Sequence, residues 1–271
     1  RWLDGLAEAA RNGKPFFLYL PYTSPHKPVI PPEQFRGQGK AGAYGEFMIE
    51  TDHHLGRILK WLDDEKLADN TMVIFTSDNG PETTWRERIQ RFGHHSNGIY
   101  REGKRSVYEG GHRVPFIARW PGRIPAGRTA DQTICLTDLL VTVAAITESK
   151  IPNNAGEDSF NILPALLGGK EPVREYTLHQ TISLDLAIRQ GDWKYLDHRG
   201  SGGNNYHRGG EWGMKQFALP EKAPGAPGQL YNLKTDPGET TNLYLEESER
   251  AQMLKTKLEE FKRVGRSAPR N

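Results

Sequence analysis

Apolar residues form short runs that alternate with segments in which they recur at helical spacing. The runs typical of buried strands are residues 16–20, 71–77 and 114–120. The segments with apolar positions every three to four residues are residues 1–12, 43–64 and 137–147. Strands that are almost wholly apolar and alternate with helices predict a largely parallel sheet covered by helices on both faces, an α/β fold.

The pattern changes after about residue 170. Four short segments separated by turn residues predict the strands of a small antiparallel sheet, at residues 176–181, 186–189, 193–196 and 229–232. We therefore expect two domains, an α/β domain over residues 1–172 and a smaller α+β subdomain over residues 173–271.

The carboxyl-terminal subdomain is expected to hold one helix and one long loop. Residues 246–264 predict a charged amphipathic helix with Met253, Leu254, Leu258 and Phe261 facing inward. Residues 198–228 are rich in Gly, Asn and Pro and predict an irregular loop.

Composition and charge exclude several classes of protein. The 271 residues are 36% hydrophobic, which supports a sizeable core. No run of 18 apolar residues predicts a membrane-spanning helix. The single cysteine excludes a disulfide scaffold. With 36 basic and 34 acidic residues, the net charge of +2 does not indicate attraction of the whole chain to nucleic acid.

The amino terminus predicts that more residues precede it. The sequence begins with Arg1 rather than methionine, and its first residues read as the middle of an amphipathic helix. The chain then carries no information about a targeting signal.

The first chemical signal is Asp78 followed by Asn79, directly after the predicted strand at residues 71–77. Loops at the carboxyl ends of parallel strands build ligand sites. A carboxylate and an amide oxygen suit a hard cation such as calcium or magnesium. The same Asp-Asn-Gly sequence is also a good turn, and this interpretation stays open.

The second signal is Lys104, which lies in a segment bounded by glycines and leads into a predicted strand. A lysine in such a loop can present its ammonium group to an anion. Residues 85–128 contain ten Lys or Arg and three acidic residues. This excess predicts a local positive field, although a solvated basic surface is the more usual explanation of such a run.

The third signal is His26, which lies between Pro25 and Pro28 in the loop after the first predicted strand. A histidine held there can donate a hydrogen bond to a substrate oxygen or act as an acid or base. His94 and His95 lie in the basic segment and can contact a substrate. A structural role is the alternative for each of these histidines.

Together these segments resemble the formylglycine-dependent sulfatases of the alkaline phosphatase superfamily, in the arylsulfatase A-like branch. The matching segments are Pro15–Tyr19 with Pro25-His26, Asp69–Thr71 with Ser77–Gly80, Gly103-Lys104 with Tyr108–Gly111, Val114-Pro115, Trp120–Gly122, Gly191–Tyr195, Leu230–Leu233, Asp236-Pro237 and Glu239–Leu243. The resemblance covers nearly the whole chain.

The resemblance implies an alkaline phosphatase-like fold and hydrolysis of sulfate esters, with a sulfated carbohydrate or glycosaminoglycan as the expected substrate. It assigns Asp78 and Asn79 as calcium ligands, and His26 and Lys104 as groups that hold the sulfate and stabilise the leaving oxygen. It also implies a periplasmic or secreted protein. The resemblance carries no information on the oligomeric state.

The sequence departs from this family at the nucleophile. The family's Cys-x-Pro-x-Arg motif, whose cysteine becomes formylglycine, is absent, because Cys135 is followed by Leu136-Thr137-Asp138. We expect formylglycine in a segment upstream of Arg1, and we expect this chain alone to be inactive and poorly soluble. A phosphatase or phosphonate monoester hydrolase of the same superfamily, or a catalytically inactive binding module, is the alternative.

Overall fold

A computed structural model describes residues 2–203 and 222–269 of the chain. The helices are α1 (Trp2–Arg11), α2 (Gly42–Asp64), α3 (Trp85–Phe92), α4 (Glu109–His112), α5 (Leu139–Ile146), α6 (Leu163–Leu166) and α7 (Ser248–Val264). The strands are β1 (Val73–Thr76), β2 (Phe116–Arg119), β3 (Tyr176–Gln180), β4 (Leu186–Gln190), β5 (Trp193–Leu196) and β6 (Gln229–Asn232). Within the described ranges, no helix combines the length and the apolar character needed to cross a bilayer.

The chain divides into two compact units. The first unit comprises Arg1–Phe75, Thr84–Ser96 and Phe116–Ala126. The second unit comprises Thr76–Thr83, Asn97–Pro115 and Gly127–Asn271. The predicted domain boundary near residue 172 stays a prediction.

The first unit is built around the long helix α2. The predicted helical spacing of residues 43–64 is confirmed, and the helix buries Phe47, Thr51 and Leu62. Thr51 donates a hydrogen bond to the hydroxyl of Ser24 at 2.7 Å, which attaches the proline-rich loop to the helix. The strands β1 and β2 pair with each other as a two-stranded sheet.

The prediction of a buried strand over residues 16–20 is wrong. These residues are not assigned to a strand, and the side chains of Phe17 and Tyr19 are 80% and 77% exposed. An apolar run becomes a strand only where a neighbour supplies hydrogen-bond partners. The described sheets, β1–β2 and β3–β6, do not include this run.

One strand and two helical side chains are less buried than their apolar character suggests. Strand β1 is half-buried along its length, whereas the apolar run predicts a buried strand. In α5, Leu140 is 52% exposed and Thr142 is buried. In α7, Met253 is 46% exposed, whereas Leu254 and Leu258 are fully buried. The helical spacing is right in both helices, but the buried stripe is narrower than the run of apolar residues.

The second unit contains the predicted antiparallel sheet, with strand order β3-β4-β5-β6. The register pairs Tyr176 with Gln190 in β3–β4, and Trp193 with Asn232 in β5–β6. Helix α7 covers one face, where Ile188, Tyr195 and Leu230 pack against its apolar residues. The prediction of a small sheet with one packed helix is confirmed.

The opposite face of this sheet packs against residues that precede α4. Because side chains alternate between the faces of a strand, Ala187, Leu196 and Tyr231 face away from α7. They form a second buried cluster with Val107 and Tyr108. This face of the sheet therefore packs against the segment that follows Lys104.

The described part of the predicted loop over residues 198–228 is irregular, and its residues 204–221 lie outside the described ranges.

Candidate active site

Two segments of the second unit, around Asp78 and around Lys104, are held together by backbone hydrogen bonds. The amide of Gly80 donates to the carbonyl oxygen of Gly111 at 2.8 Å, and the amide of Lys104 donates to that of Pro81 at 2.9 Å. A Cβ atom at Gly80 would collide with the carbonyl oxygen of Gly110. This close approach explains why the Asp-Asn-Gly sequence ends in glycine.

An ion pair fixes the same two segments through their side chains. The guanidinium of Arg105 donates to both carboxylate oxygens of Glu82, at 2.7 and 2.8 Å. These hydrogen bonds lower the pKa of Glu82 to about 2. The pair is bidentate, which makes it more rigid than an ordinary surface pair. It also offsets the charge of Arg105 beside Lys104.

The predicted residues Asp78, Asn79 and Lys104 line one cavity of about 370 Å³. The same cavity is lined by His112 and His179, by Leu178, and by Gln180 and the two residues after it. A carboxylate, an amide and an ammonium group therefore converge on one space. That combination can bind a cation and an anion side by side.

The oxygen atoms of Asp78 and Asn79 fit a calcium ion. The side-chain nitrogen of Asn79 donates to the carbonyl oxygen of Gly80 at 2.9 Å, which leaves its amide oxygen as the remaining ligand atom. The side chain of Asp78 is exposed. Because calcium takes six to eight oxygen ligands, these two residues supply part of a site.

A second cluster in the same unit consists of Glu109, His112 and His179, whose possible ligand atoms lie within 4.8 Å of one another. A positively charged side chain of the protein, that of Lys194, already lies at this cluster. The ammonium of Lys194 lies 2.9 Å from a carboxylate oxygen of Glu109 and 3.1 Å from Nε2 of His112. A metal ion there would meet this positive charge, so we assign no metal to the cluster.

Lys194 is completely buried between two carboxylates. It contacts Glu109 and Glu239, each at 2.9 Å, and all three side chains are at most 1% exposed. The backbone amide of Glu109 also donates to Glu239 at 2.6 Å. Burial raises the pKa of Glu239. For Glu109, burial acts in the same direction, but the charge and hydrogen bond of Lys194, together with His112 and His179, outweigh it and hold that pKa below its usual range.

The two histidines beside Lys194 are held in their neutral form. Burial, followed by the nearby charge of Lys194, lowers the pKa of His112 to about 3. Burial and the neighbouring His112 likewise lower the pKa of His179.

Sequence reasoning missed Glu109, His179, Lys194 and Glu239 as parts of this region. One signal was available, since Lys194 is a charged residue inside the otherwise apolar strand β5. A lysine at such a position needs a buried partner. The partners are 85 and 45 residues away, at Glu109 and Glu239, and no local pattern predicts them.

The remaining predicted site residues, His26, His94 and His95, belong to the first unit. His26 is exposed, and its Nδ1 lies 2.7 Å from the carbonyl oxygen of Lys27. His94 is exposed and lies against the ring of Tyr44, with ring centroids 6.1 Å apart. The structure also describes His95 as exposed. Their role in substrate binding stays a prediction.

Part of the predicted positive field in the first unit is compensated or packed against a ring. Arg91 pairs with Glu87 at 2.7 Å, and Arg119 pairs with Asp63 at 3.2 Å. The guanidinium of Arg88 lies 3.8 Å from the ring centre of Tyr44. These three arginines therefore have structural contacts of their own.

Comparison with known proteins identifies the family. Residues 1–149, more than half of the chain, match the Sulfatase family. Over 253 residues the chain is 35% identical to an N-acetylgalactosamine-6-O-sulfatase from Bacteroides thetaiotaomicron, covering 92% of this chain and 47% of that protein. It is 36% identical to human arylsulfatase A over 245 residues, covering 89% of this chain and 46% of that protein. The chain belongs to the sulfatase family.

One solved structure has a fold similar to that of this chain. It comes from work on the metabolism of multiple glycosaminoglycans by Bacteroides thetaiotaomicron. The match covers 96% of this chain and 54% of that one, at 32% identity and a TM-score of 0.78. The chain spans about half the length of the curated relatives it matches.

Proposed function

We propose that the protein carrying this chain hydrolyses sulfate esters, and that the cavity around Lys104 is part of its active site. The observation that carries the proposal is the convergence of Asp78, Asn79 and Lys104 on one cavity. The family membership supports the reaction, since both relatives described above are sulfatases.

The residues of this chain would bind the sulfate and stabilise charge. Lys104 presents an ammonium group to the sulfate oxygens, and Asp78 and Asn79 would hold calcium. When bound, calcium supplies positive charge beside an anion whose charge increases as the ester bond breaks. His26 is proposed to donate a hydrogen bond to the leaving oxygen. Because the chain has no Cys-x-Pro-x-Arg motif, we assign it no nucleophile.

The proposed substrate is a sulfated carbohydrate, and the proposed location is the periplasm or the cell exterior. One relative is named for N-acetylgalactosamine 6-O-sulfate, and the similar solved structure comes from work on glycosaminoglycans. The proposal also includes the largely parallel, helix-covered sheet of the alkaline phosphatase-like fold. The likeness to the solved structure at a TM-score of 0.78 supports it.

Calcium titration of the intact protein that carries this chain tests the metal assignment. We expect Asp78→Ala to weaken calcium binding at least ten-fold, because a charged ligand is lost. The matched control is Asp131→Ala, an exposed aspartate that does not line the cavity. Wild-type affinity in the Asp78→Ala protein would remove Asp78 from the calcium site.

A further inference from the structure

A stacked pair of histidines forms part of the lining of the cavity that contains Lys104. The ring centroids of His112 and His179 are 3.9 Å apart, and the ring planes differ by 21°. Both residues line the cavity together with Lys104 and Asp78. Stacking fixes the orientation of the His179 ring before any ligand enters.

The two rings differ in their hydrogen bonding. Nε2 of His112 lies 3.0 Å from the carbonyl oxygen of Val107 and 3.1 Å from Nζ of Lys194, so that atom is already engaged. Nε2 of His179 is buried and has no hydrogen-bond partner in the part of the chain that the structure describes. A buried polar atom without a partner is destabilising, because it has lost its hydrogen bonds to water. Native proteins keep few such atoms, and each calls for a reason.

The surroundings of His179 favour an uncharged ligand group. The charged groups that act on its imidazole are Lys194, Glu109 and Arg189. Burial, His112, Lys194 and Arg189 lower the pKa of His179 and outweigh Glu109, which raises it, so the neutral form is favoured. A neutral imidazole has one N–H donor and one acceptor nitrogen, which suits a hydroxyl or an amide rather than a sulfate. The anion in this cavity is left to Lys104.

We propose that His179 is a specificity-determining residue that hydrogen-bonds an uncharged substituent, a hydroxyl or acetamido group, on the sugar that bears the sulfate. The placement of His179 in the same cavity as Lys104, its stacking on His112 and its unpartnered Nε2 carry this proposal. It rests on the proposed function, because it assigns the sugar to the cavity whose sulfate contact is Lys104.

Calorimetry on the intact protein separates the two contacts, with N-acetylgalactosamine and inorganic sulfate as separate probes. His179→Phe keeps an aromatic ring for stacking but removes both ring nitrogens. We expect it to weaken sugar binding about five-fold more than sulfate binding, the effect of one lost hydrogen bond. His179→Gln keeps an amide donor and acceptor, and is expected to lose less.

The matched control is His198→Phe. Nε2 of His198 is also buried and without a partner among the described residues, but His198 does not line the cavity. This variant is expected to keep the wild-type ratio of sugar to sulfate affinity. Equal ratios in the His179→Phe and His198→Phe proteins would overturn the proposal.

Kinetics provide a second readout of the same proposal. The ratio of kcat/KM for N-acetylgalactosamine 6-sulfate to that for 4-nitrophenyl sulfate should fall about five-fold in His179→Phe. An unchanged ratio would overturn the role of His179 and leave sulfate-ester hydrolysis standing. A wild-type protein that binds the sugar through His179 but hydrolyses neither ester would contradict the proposed function alone.

Discussion

At the scale of single residues, some residues of the site have a local sequence pattern that predicts their position, and others do not. Asp78, Asn79 and Lys104 lie next to glycines and predicted strands, so their place in a loop at a strand end could be predicted. The cavity that contains all three is consistent with that prediction. His179 has no such local signal, because its importance comes from a stacking partner 67 residues earlier in the chain.

The neutral state of His112 makes a prediction about stability and pH. Its pKa is about 3 in the folded protein and about 6.5 in the unfolded chain. Between these values the unfolded chain binds a proton that the folded protein does not, so stability falls as the pH falls below about 6.5. One such proton contributes a slope of about 1.4 kcal/mol per pH unit.

The substitution His112→Asn removes that proton and should flatten the dependence of unfolding free energy on pH by about this amount. Urea unfolding of the intact protein between pH 6 and pH 4.5 measures the slope. The exposed His95→Asn variant controls for the loss of any histidine. A His112→Asn protein with the wild-type slope would show that His112 titrates normally in the folded state.

At the scale of helices and strands, local patterns predict the elements that bury one face within the chain. The strands β3–β6 and the helix α7 match their predicted segments closely. Helix α3 was missed, because its sequence WRERIQRF has only three apolar residues and three arginines. Two of these arginines, Arg86 and Arg88, are nonetheless buried. Their placement depends on tertiary contacts that helical periodicity does not report.

The failed strand at residues 16–20 has a different cause. Its apolar run is typical of a strand, but hydrogen bonding between strands is not a local property. In the described structure, Phe16 lies against Trp61 of α2 with ring centroids 6.4 Å apart, while Phe17 is exposed.

The buried lysine of β5 makes a prediction at this scale. Replacing Lys194 with Met removes the cation that pairs with Glu239 and the nearest of the cations that pair with Glu109. Removing one partner of a buried pair costs about 3–5 kcal/mol. Urea unfolding of the intact protein is the measurement. The exposed Lys234→Met variant is the matched control, with an expected change below about 0.5 kcal/mol.

The double variant Lys194→Met, Glu239→Gln distinguishes charge from packing. Because Glu239→Gln removes the carboxylate that Lys194→Met leaves uncompensated, the double variant should be more stable than Lys194→Met alone. Additive losses would show that the three side chains contribute through packing and not through their charges.

At the scale of the whole molecule, the chain is a member of the sulfatase family that brings three of its proposed site residues into one unit. It belongs to the family and spans about half the length of its curated relatives. Its second unit places the proposed cation ligands, the proposed sulfate contact and the antiparallel sheet beneath them in one compact body. The small sheet therefore has a role in the site, because it packs against the segment that carries Lys104.

The proposed function depends most directly on Lys104 as a sulfate contact. Hydrolysis of 4-nitrophenyl sulfate by the intact protein with calcium tests this contact. Loss of one preorganised charge contact should lower kcat/KM of Lys104→Ala on the order of 100-fold or more.

The controls are Lys170→Ala and Arg123→Ala, two exposed cations outside the cavity lining. Arg86 is a poorer control, because it is only 4% exposed. We expect the two control variants to stay within about two-fold of wild type, as is usual for surface substitutions. Equal losses in all three variants would contradict the account, because they would show that a diffuse positive field, and not Lys104, binds the sulfate.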